Sequence, residues 1–582
     1  MSHRRHRCVR SFPGFSGRLA LLGFVVMAMP ASAEITGTVV IEGTGIPGTP
    51  IEGAQVQLRA DAGSPVVLTD ALGRFSLPVN PANPVEVSAA VVYDPLADAQ
   101  YNTGAVDASN GDDVVIRLRE IPQLANTTYT PIKAVVPAGC GDCHGEQLAA
   151  WSPSAHARSA TNVWVRDLYS GDGTAGGAAG YVFQDVHPAE PGFCATCHAP
   201  VAEAQDPGTV FYDEVSGDAA LEGVTCSACH HIDHVSDNVT ALHLVGDPEP
   251  NSTFRFPLDG IGGAATHEYV WGPLPDVDYA FMRAAYQPVY AESKYCASCH
   301  EYVNPANGTP GQTTYSEWLD SSFATPGAEY RTCQDCHMPE ATKAGPIADP
   351  VIGTAPVRPA SQRHDHGFNA RPVGVPAVEL AVTAGAVGGD FAVNATVSNT
   401  GAGHSFPTGI SLRNAIVLVR ASISGVELVQ TSGPTIPAWA NDDEPGEQAG
   451  DWGGYPGLGL AKVLSGVVNG ERTDPVLFFD ADTVLSNTAL EAGESRTAAV
   501  RFALPPGTEA GDVVDVDVQL LYRRAWRALV VTKGWTEAAD GGPIEQVLAF
   551  DQRSIELGPE DLAFFADGFE SGDVSAWTAS VP

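Results

Sequence analysis

Five times this chain sets two cysteines three residues apart with a histidine directly after the second. The triplets are Cys140, Cys143 and His144; Cys194, Cys197 and His198; Cys226, Cys229 and His230; Cys296, Cys299 and His300; and Cys333, Cys336 and His337. They use all but one of the 11 cysteines, leaving Cys8. Structural zinc and disulfides also employ cysteine pairs, but neither requires the histidine. The spacing reads instead as c-type heme attachment. Two thiols on one turn of helix add across the vinyl groups of one porphyrin, and the adjacent imidazole reaches the iron as proximal ligand. Five covalent heme c groups are expected.

Each iron also has a second axial side. Histidines outside the motifs and the first 33 residues are His156, His187, His231, His234, His243, His267, His364, His366 and His404, nine candidates for five positions. His187 stands seven residues before Cys194 and is a weaker choice. An internal comparison bears on His156. After the first motif comes "EQLAAWSPSAHARSA" and after the fourth "QTTYSEWLDSSFATP". Aligning Trp151 with Trp318 also aligns Ser154 with Ser321 but sets His156 against Phe323, as in a duplicated element of which one copy has lost its histidine.

The elements that must hold these groups fall into a multidomain order. Residues 1–33, with Arg4, Arg5, Arg7, Arg10 and Arg18, then "LALLGFVVMAM", then "ASA", read as a secretory signal peptide cut after Ala33. No later apolar run is long enough to span a bilayer. A periplasmic or extracellular location follows. Without the leader, 26 basic residues face 69 acidic ones. Such a field repels nucleic acid and anionic membranes and favours redox partners with basic docking surfaces.

Residues 34–120 alternate in "ITGTVVIEG", "GAQVQLRA" and "PVEVSAAVV", the period-two pattern of strands broken by Gly and Pro turns. Residues 121–372 hold all the motifs amid weak periodicity, so short helices and loops around five porphyrins are expected, with almost no sheet. Residues 373–557 return to alternation in "FAVNATVSNT", "NAIVLVRASI", "VVDVDVQLLYRR" and "RALVVTKGW". The expected architecture is a β-sandwich, a mostly irregular and α-helical multiheme module, then a second β-sandwich, with residues 558–582 as a tail.

Resemblances sharpen this reading. With "VLTDALGRFSLP", the first β segment resembles the carboxypeptidase regulatory-like fold. The segments "AAWSPSAHA", "EGVTCSACH", "WGPLPDV", "ESKYCASCHE", "YSEWLDSSF" and "CQDCHMP" make the motif region similar to multiheme cytochromes c. These are the relatives of the nitrifier tetraheme cytochrome and, more distantly, of hydroxylamine oxidoreductase. The resemblance implies that His156 and His234 are distal ligands to hemes other than their nearest motif. "RHDHGF" and "NTGAGHSFPTG" also resemble segments of related chains and nominate His366 and His404, with His364 as the alternative to His366. Many relatives carry a histidine upstream of the "YCASCH" type of motif, where this chain has "DYAFMRAAYQPVY"; Met282 is the nearest ligand there, or else core filler.

The function these features imply is electron transfer through five hemes in respiratory or extracellular metabolism. Paired imidazoles keep iron low-spin, so electrons move with little rearrangement of ligands. The alternative is an oxidoreductase acting on a small nitrogen or sulfur compound at a five-coordinate heme, favoured by Phe323. No motif, however, has the lysine usual in pentaheme nitrite reductases. The flanking β domains also offer surfaces for self-assembly.

Overall fold

The computed structural model describes residues 34–123, 126, 129–171, 180–239, 251–257, 268–279, 282–304, 306–349, 355–368, 376–442, 444, 446 and 448–562. The signal-peptide reading, His243, His267 and most of the tail lie outside these residues.

The first segment forms two sheets. One orders Arg74–Leu77, Ile35–Ile41 and Asp113–Leu118; the other orders Val67–Leu68, Gln55–Leu58, Val85–Ala90 and Gly104–Ala108. Strand alternation sends Ile35, Val39, Phe75, Leu77 and Ile116 from one sheet, and Val56, Val87 and Ala89 from the other, into one buried core.

The last segment repeats this scheme on a larger scale. A four-stranded sheet orders Glu379–Val387, Asp390–Ser398, Ser495–Ala503 and Gln430–Ser432. A seven-stranded sheet is built on Gly457–Val468, Asn414–Ile423, Val513–Arg523 and Glu545–Glu556. Phe391, Val393, Val500 and Phe502 of the first sheet meet Val417, Val419, Val516 and Val518 of the second. "RALVVTKGW" is not a strand. Arg527–Lys533 is a helix closed by Gly534 at φ 63°. Its Ala, Leu and Arg are good helix formers, and the Leu529 and Lys533 pair, four residues apart, is buried on one face. Two adjacent valines mimic a strand, but a left-handed glycine suits a helix end.

Between them the motifs sit on helices of one or two turns: Cys194–His198, Cys226–His230, Ser293–His300 and Cys333–His337, with Cys140–Asp142 as a 3-10 turn. Such short helices need caps. Thr225 accepts from the Ala228 N–H at 3.0 Å, and Thr332 with Asp335 forms a reciprocal capping box. This region holds more sheet than expected. Ile232–Val235 pairs with Ser252–Phe254, Glu268–Gly272 with Met282–Tyr286, and Glu301–Val303 with Pro310–Thr313. Two of these ladders begin directly behind a motif helix, because the chain leaving each motif must satisfy its backbone groups against a neighbouring segment.

Candidate functional site

Local geometry fixes the protonation of several motif imidazoles. Nδ1 of His144 lies 3.0 Å from the Ile347 carbonyl, and Nδ1 of His230 lies 2.8 Å from that of Trp271. A carbonyl only accepts, so Nδ1 carries the proton and Nε2 keeps its lone pair free for a metal. The same lock holds outside the motifs, at His364 on Met338 O, His366 on His364 O and His404 on Ser405 O. Burial presses the basicity of His144, His366 and His404 down, and brings it to about 4 for His156, His198 and His230 and to about 3 for His300. Imidazoles held neutral are the form that binds iron.

Two pairs lie ring to ring. His156 and His300 have centroids 6.2 Å apart with planes crossed at 69°; His337 and His404 are 6.4 Å apart and nearly parallel at 15°. Two imidazoles sharing one iron put their centroids roughly 6 Å apart, since each bond is about 2 Å and each nitrogen lies about 1 Å from its ring centre. None of the ten motif thiols is in a disulfide. Nδ1 of His156 and of His198 is buried without a partner. These residues fit c-type hemes: thiols outside any disulfide for the porphyrin, imidazole nitrogens for the iron.

The backbone around each pair explains the fit. Gly223, at φ 78°, passes so close beneath the His156–Thr161 turn that a Cβ would meet the His156 carbonyl at 2.6 Å. His404 sits in the loop between Asp390–Ser398 and Asn414–Ile423, where Asn399 Nδ2 donates to the His404 carbonyl at 2.8 Å. The repeat is visible as well. The Trp151 indole donates to Val224 O and the Trp318 indole to Arg331 O, both at 2.9 Å and both two residues before a motif cysteine. Val224 N donates to His156 O and Arg331 N to Phe323 O. Phe323, where the repeat lacks histidine, packs against Gly403 beside His404.

The remaining candidates are placed as follows. His366 is half-buried near His144 and His230. His187 stacks on Phe183 with Nδ1 3.4 Å from Glu190. His234 lies on Ile232–Val235 opposite Thr253. His231 has both nitrogens engaged, Nδ1 with Ser227 O and Nε2 with the Tyr129 hydroxyl. Met282 is half-buried opposite Glu268. Among the described residues, none of these five shows a ring or sulfur contact to a motif histidine. Sequence reasoning missed Ile347 and Trp271, whose roles lie in their backbone carbonyls; only the quoted "WGPLPDV" segment pointed at the second.

Thiols of different motifs also act on one another. Cys140 acts on the titration of Cys226, Cys197 on that of Cys299 and Cys333 on that of Cys296. The first of these pulls Cys226 below the usual thiol range, and Cys296 in turn brings Cys333 down to about 7.

Motifs, undisulfided thiols and paired imidazoles define the class, a multiheme c-type cytochrome. Residues 139–231, which span the first three motifs, match the family described as cytochrome c554 and c-prime. A solved structure, a penta-heme cytochrome c552 from Thermochromatium tepidum, is similar at 20% identity and a TM-score of 0.45, over 73% of this chain and 100% of that one. No curated protein matches significantly.

Proposed function

We propose that the protein is an exported electron carrier with five covalent hemes, working in respiratory or extracellular electron transfer. The observation that carries this reading is the ring spacing of His156 with His300 and of His337 with His404. Each motif binds one porphyrin through its two cysteines and one iron through its histidine. His156 is then the distal ligand at the fourth motif and His404 at the fifth, while His366 serves the first or third. The hemes would supply one-electron chemistry; the chain holds imidazoles neutral and orients them through backbone carbonyls. At the fourth and fifth motifs, two imidazoles on an iron would leave no position for a substrate, which favours transfer over catalysis there. Among the described residues no helix is long and apolar enough to cross a membrane. The acidic chain, with a formal charge of −38, suits partners with basic docking surfaces.

Mass analysis of protein matured with a cytochrome c assembly system should find five hemes; four or fewer in fully processed chains rejects the count. Replacing His404 with alanine should leave five attachments yet turn one heme high-spin and open to carbon monoxide. An unchanged spectrum and carbon monoxide response removes His404 from the ligand set.

A further inference from the structure

His230 of the third motif is held through both its ring and its main chain. Its Nδ1 donates to the Trp271 carbonyl at 2.8 Å, and the Tyr290 ring lies 5.7 Å away with its plane tilted by 20°. The Tyr290 hydroxyl lies 2.7 Å from both Cys229 O and Ile232 O, the carbonyls that flank the histidine pair.

Trp271 is in turn placed from outside the motif region. It stands on Glu268–Gly272, opposite Ala285 of Met282–Tyr286. The first β domain joins that ladder: Val92 bridges Tyr286, Tyr93 N donates to Tyr286 O at 2.8 Å, and Thr103 N donates to Ala284 O at 2.7 Å. Tyr93 then makes two further contacts. Its ring meets the Trp271 indole edge to face, with centroids 5.5 Å apart and planes crossed at 86°. Its hydroxyl donates to Asp233 Oδ2 and accepts from Arg255 Nη1, each at 2.8 Å. Asp233 belongs to Ile232–Val235, the strand leaving the motif, and Arg255 N donates to His231 O at 2.9 Å. Tyr93, Trp271 and Asp233 are all buried. A buried phenol whose hydroxyl has both a donor and an acceptor is pinned in one position. One side chain of the first β domain therefore grips the residue whose carbonyl accepts from the imidazole and also the strand that follows the imidazole. The first motif offers the contrast, for His144 leans on Ile347 O, within the motif region itself.

We infer that Tyr93 is a positioning residue for the third motif: by holding the Trp271 carbonyl against His230, it sets that imidazole's ring orientation and keeps its proton on Nδ1. The first β domain is then part of the framework that orients a ligand. The inference rests on the proposed heme at Cys226 and Cys229 with His230 as its ligand.

The test compares three full-length holoproteins: the parent, Tyr93→Leu and Arg59→Ala. Arg59 is the control because it fastens the same domain elsewhere, with Nη2 donating to Asp278 O at 2.7 Å and Nε to Asp276 O at 3.2 Å. Heme-methyl proton shifts in a ferric cytochrome follow the orientation of the axial imidazole plane, which outer contacts set. The third heme is recognised by nuclear Overhauser contacts from its thioether bridges to the β protons of Cys226 and Cys229. Tyr93→Leu should shift that one set of methyl resonances, with five hemes retained by mass, and Arg59→Ala should leave the set in place. Unmoved resonances in Tyr93→Leu overturn the inference. So does an equal shift in Arg59→Ala, which would reduce Tyr93 to domain docking, or a shift across all five hemes. If Tyr93→Leu does not mature, Tyr93→Phe decides. It keeps the ring on Trp271 but gives Asp233 no donor, so a shift confined to the same set supports the inference and no shift overturns it. A parent without heme on Cys226 and Cys229 is a different failure: the underlying reading falls there, and the inference with it.

Discussion

A histidine that donates Nδ1–H to a carbonyl has its ring orientation and its free nitrogen set by backbone, which is harder to perturb than a side-chain partner. That arrangement at His144, His230, His366 and His404 means that, on the proposed reading, tertiary structure sets the ligands' orientation. The opposite case is Asp480. Burial raises its carboxyl to about 6, with the nearby His187 working against the shift. A carboxyl whose folded pKa lies above its unfolded value is held more comfortably protonated, so the fold gives up stability as pH rises from about 4 to about 6. Asp480→Asn should therefore melt higher than the parent by about 2 to 4 °C above pH 7 and at the same temperature as the parent near pH 4. Thermal melts at both pH values check this, and a gain of equal size at both would refute the burial argument.

At the scale of elements, the duplicated helix and turn show how a short segment is held without a core of its own. Gly145–Trp151 and Thr314–Leu319 each anchor the next element of the copy by one indole hydrogen bond. Trp151 is 5% exposed, whereas Trp318 is half-buried. Trp151→Phe strands a carbonyl in a drier setting and should cost about 1–3 kcal/mol, against about 0.5–1 kcal/mol for Trp318→Phe. Denaturant titrations of the two variants measure the difference, and equal costs would discard the burial reasoning. The two copies also mark what could be read without a structure. Attachment motifs were legible because thioether chemistry demands contiguous residues, and long strands such as Ile35–Ile41 because one buried face imposes alternation. The partner of His156 was not, since His300 lies far along the chain and only folding joins them. The ladder Ile232–Val235 with Ser252–Phe254 escaped for a related reason: strands this short carry too few residues to show a period. Phe323 looked like a lost ligand; its place against Gly403 shows why the position stays apolar.

Across the whole molecule, the β domains are tied into the motif region by buried polar groups. On the C-terminal side, Trp535 Nε1 donates to Asp167 at 2.7 Å, Lys533 donates to the Asp167 carbonyl, and Trp535 stacks on Trp164 at 4.2 Å. On the N-terminal side the tie is Asp276. Its Oδ2 accepts from the Ala60 N–H at 2.6 Å, and its Oδ1 lies 2.8 Å from Arg358 Nη1, both side chains being 1% exposed. Asp276 thus links the first β domain to the segment, with the 3-10 turn Ala360–Gln362, that carries His364 and His366. Removing one member of a buried ion pair leaves the other charged and dry, at a cost of about 3–5 kcal/mol. Asp276→Ala should accordingly lower the unfolding midpoint and also loosen His366. The chain would then show two linked changes: faster proteolysis between residues 34 and 120, and a high-spin fraction at one heme that Asp276→Asn, which keeps a hydrogen-bonding oxygen, restores in part. Proteolysis followed beside the ferric heme spectrum reads both. Release of the β domain with every heme still low-spin would mean that Asp276 fastens the domain alone and that the His366 segment is held by other contacts.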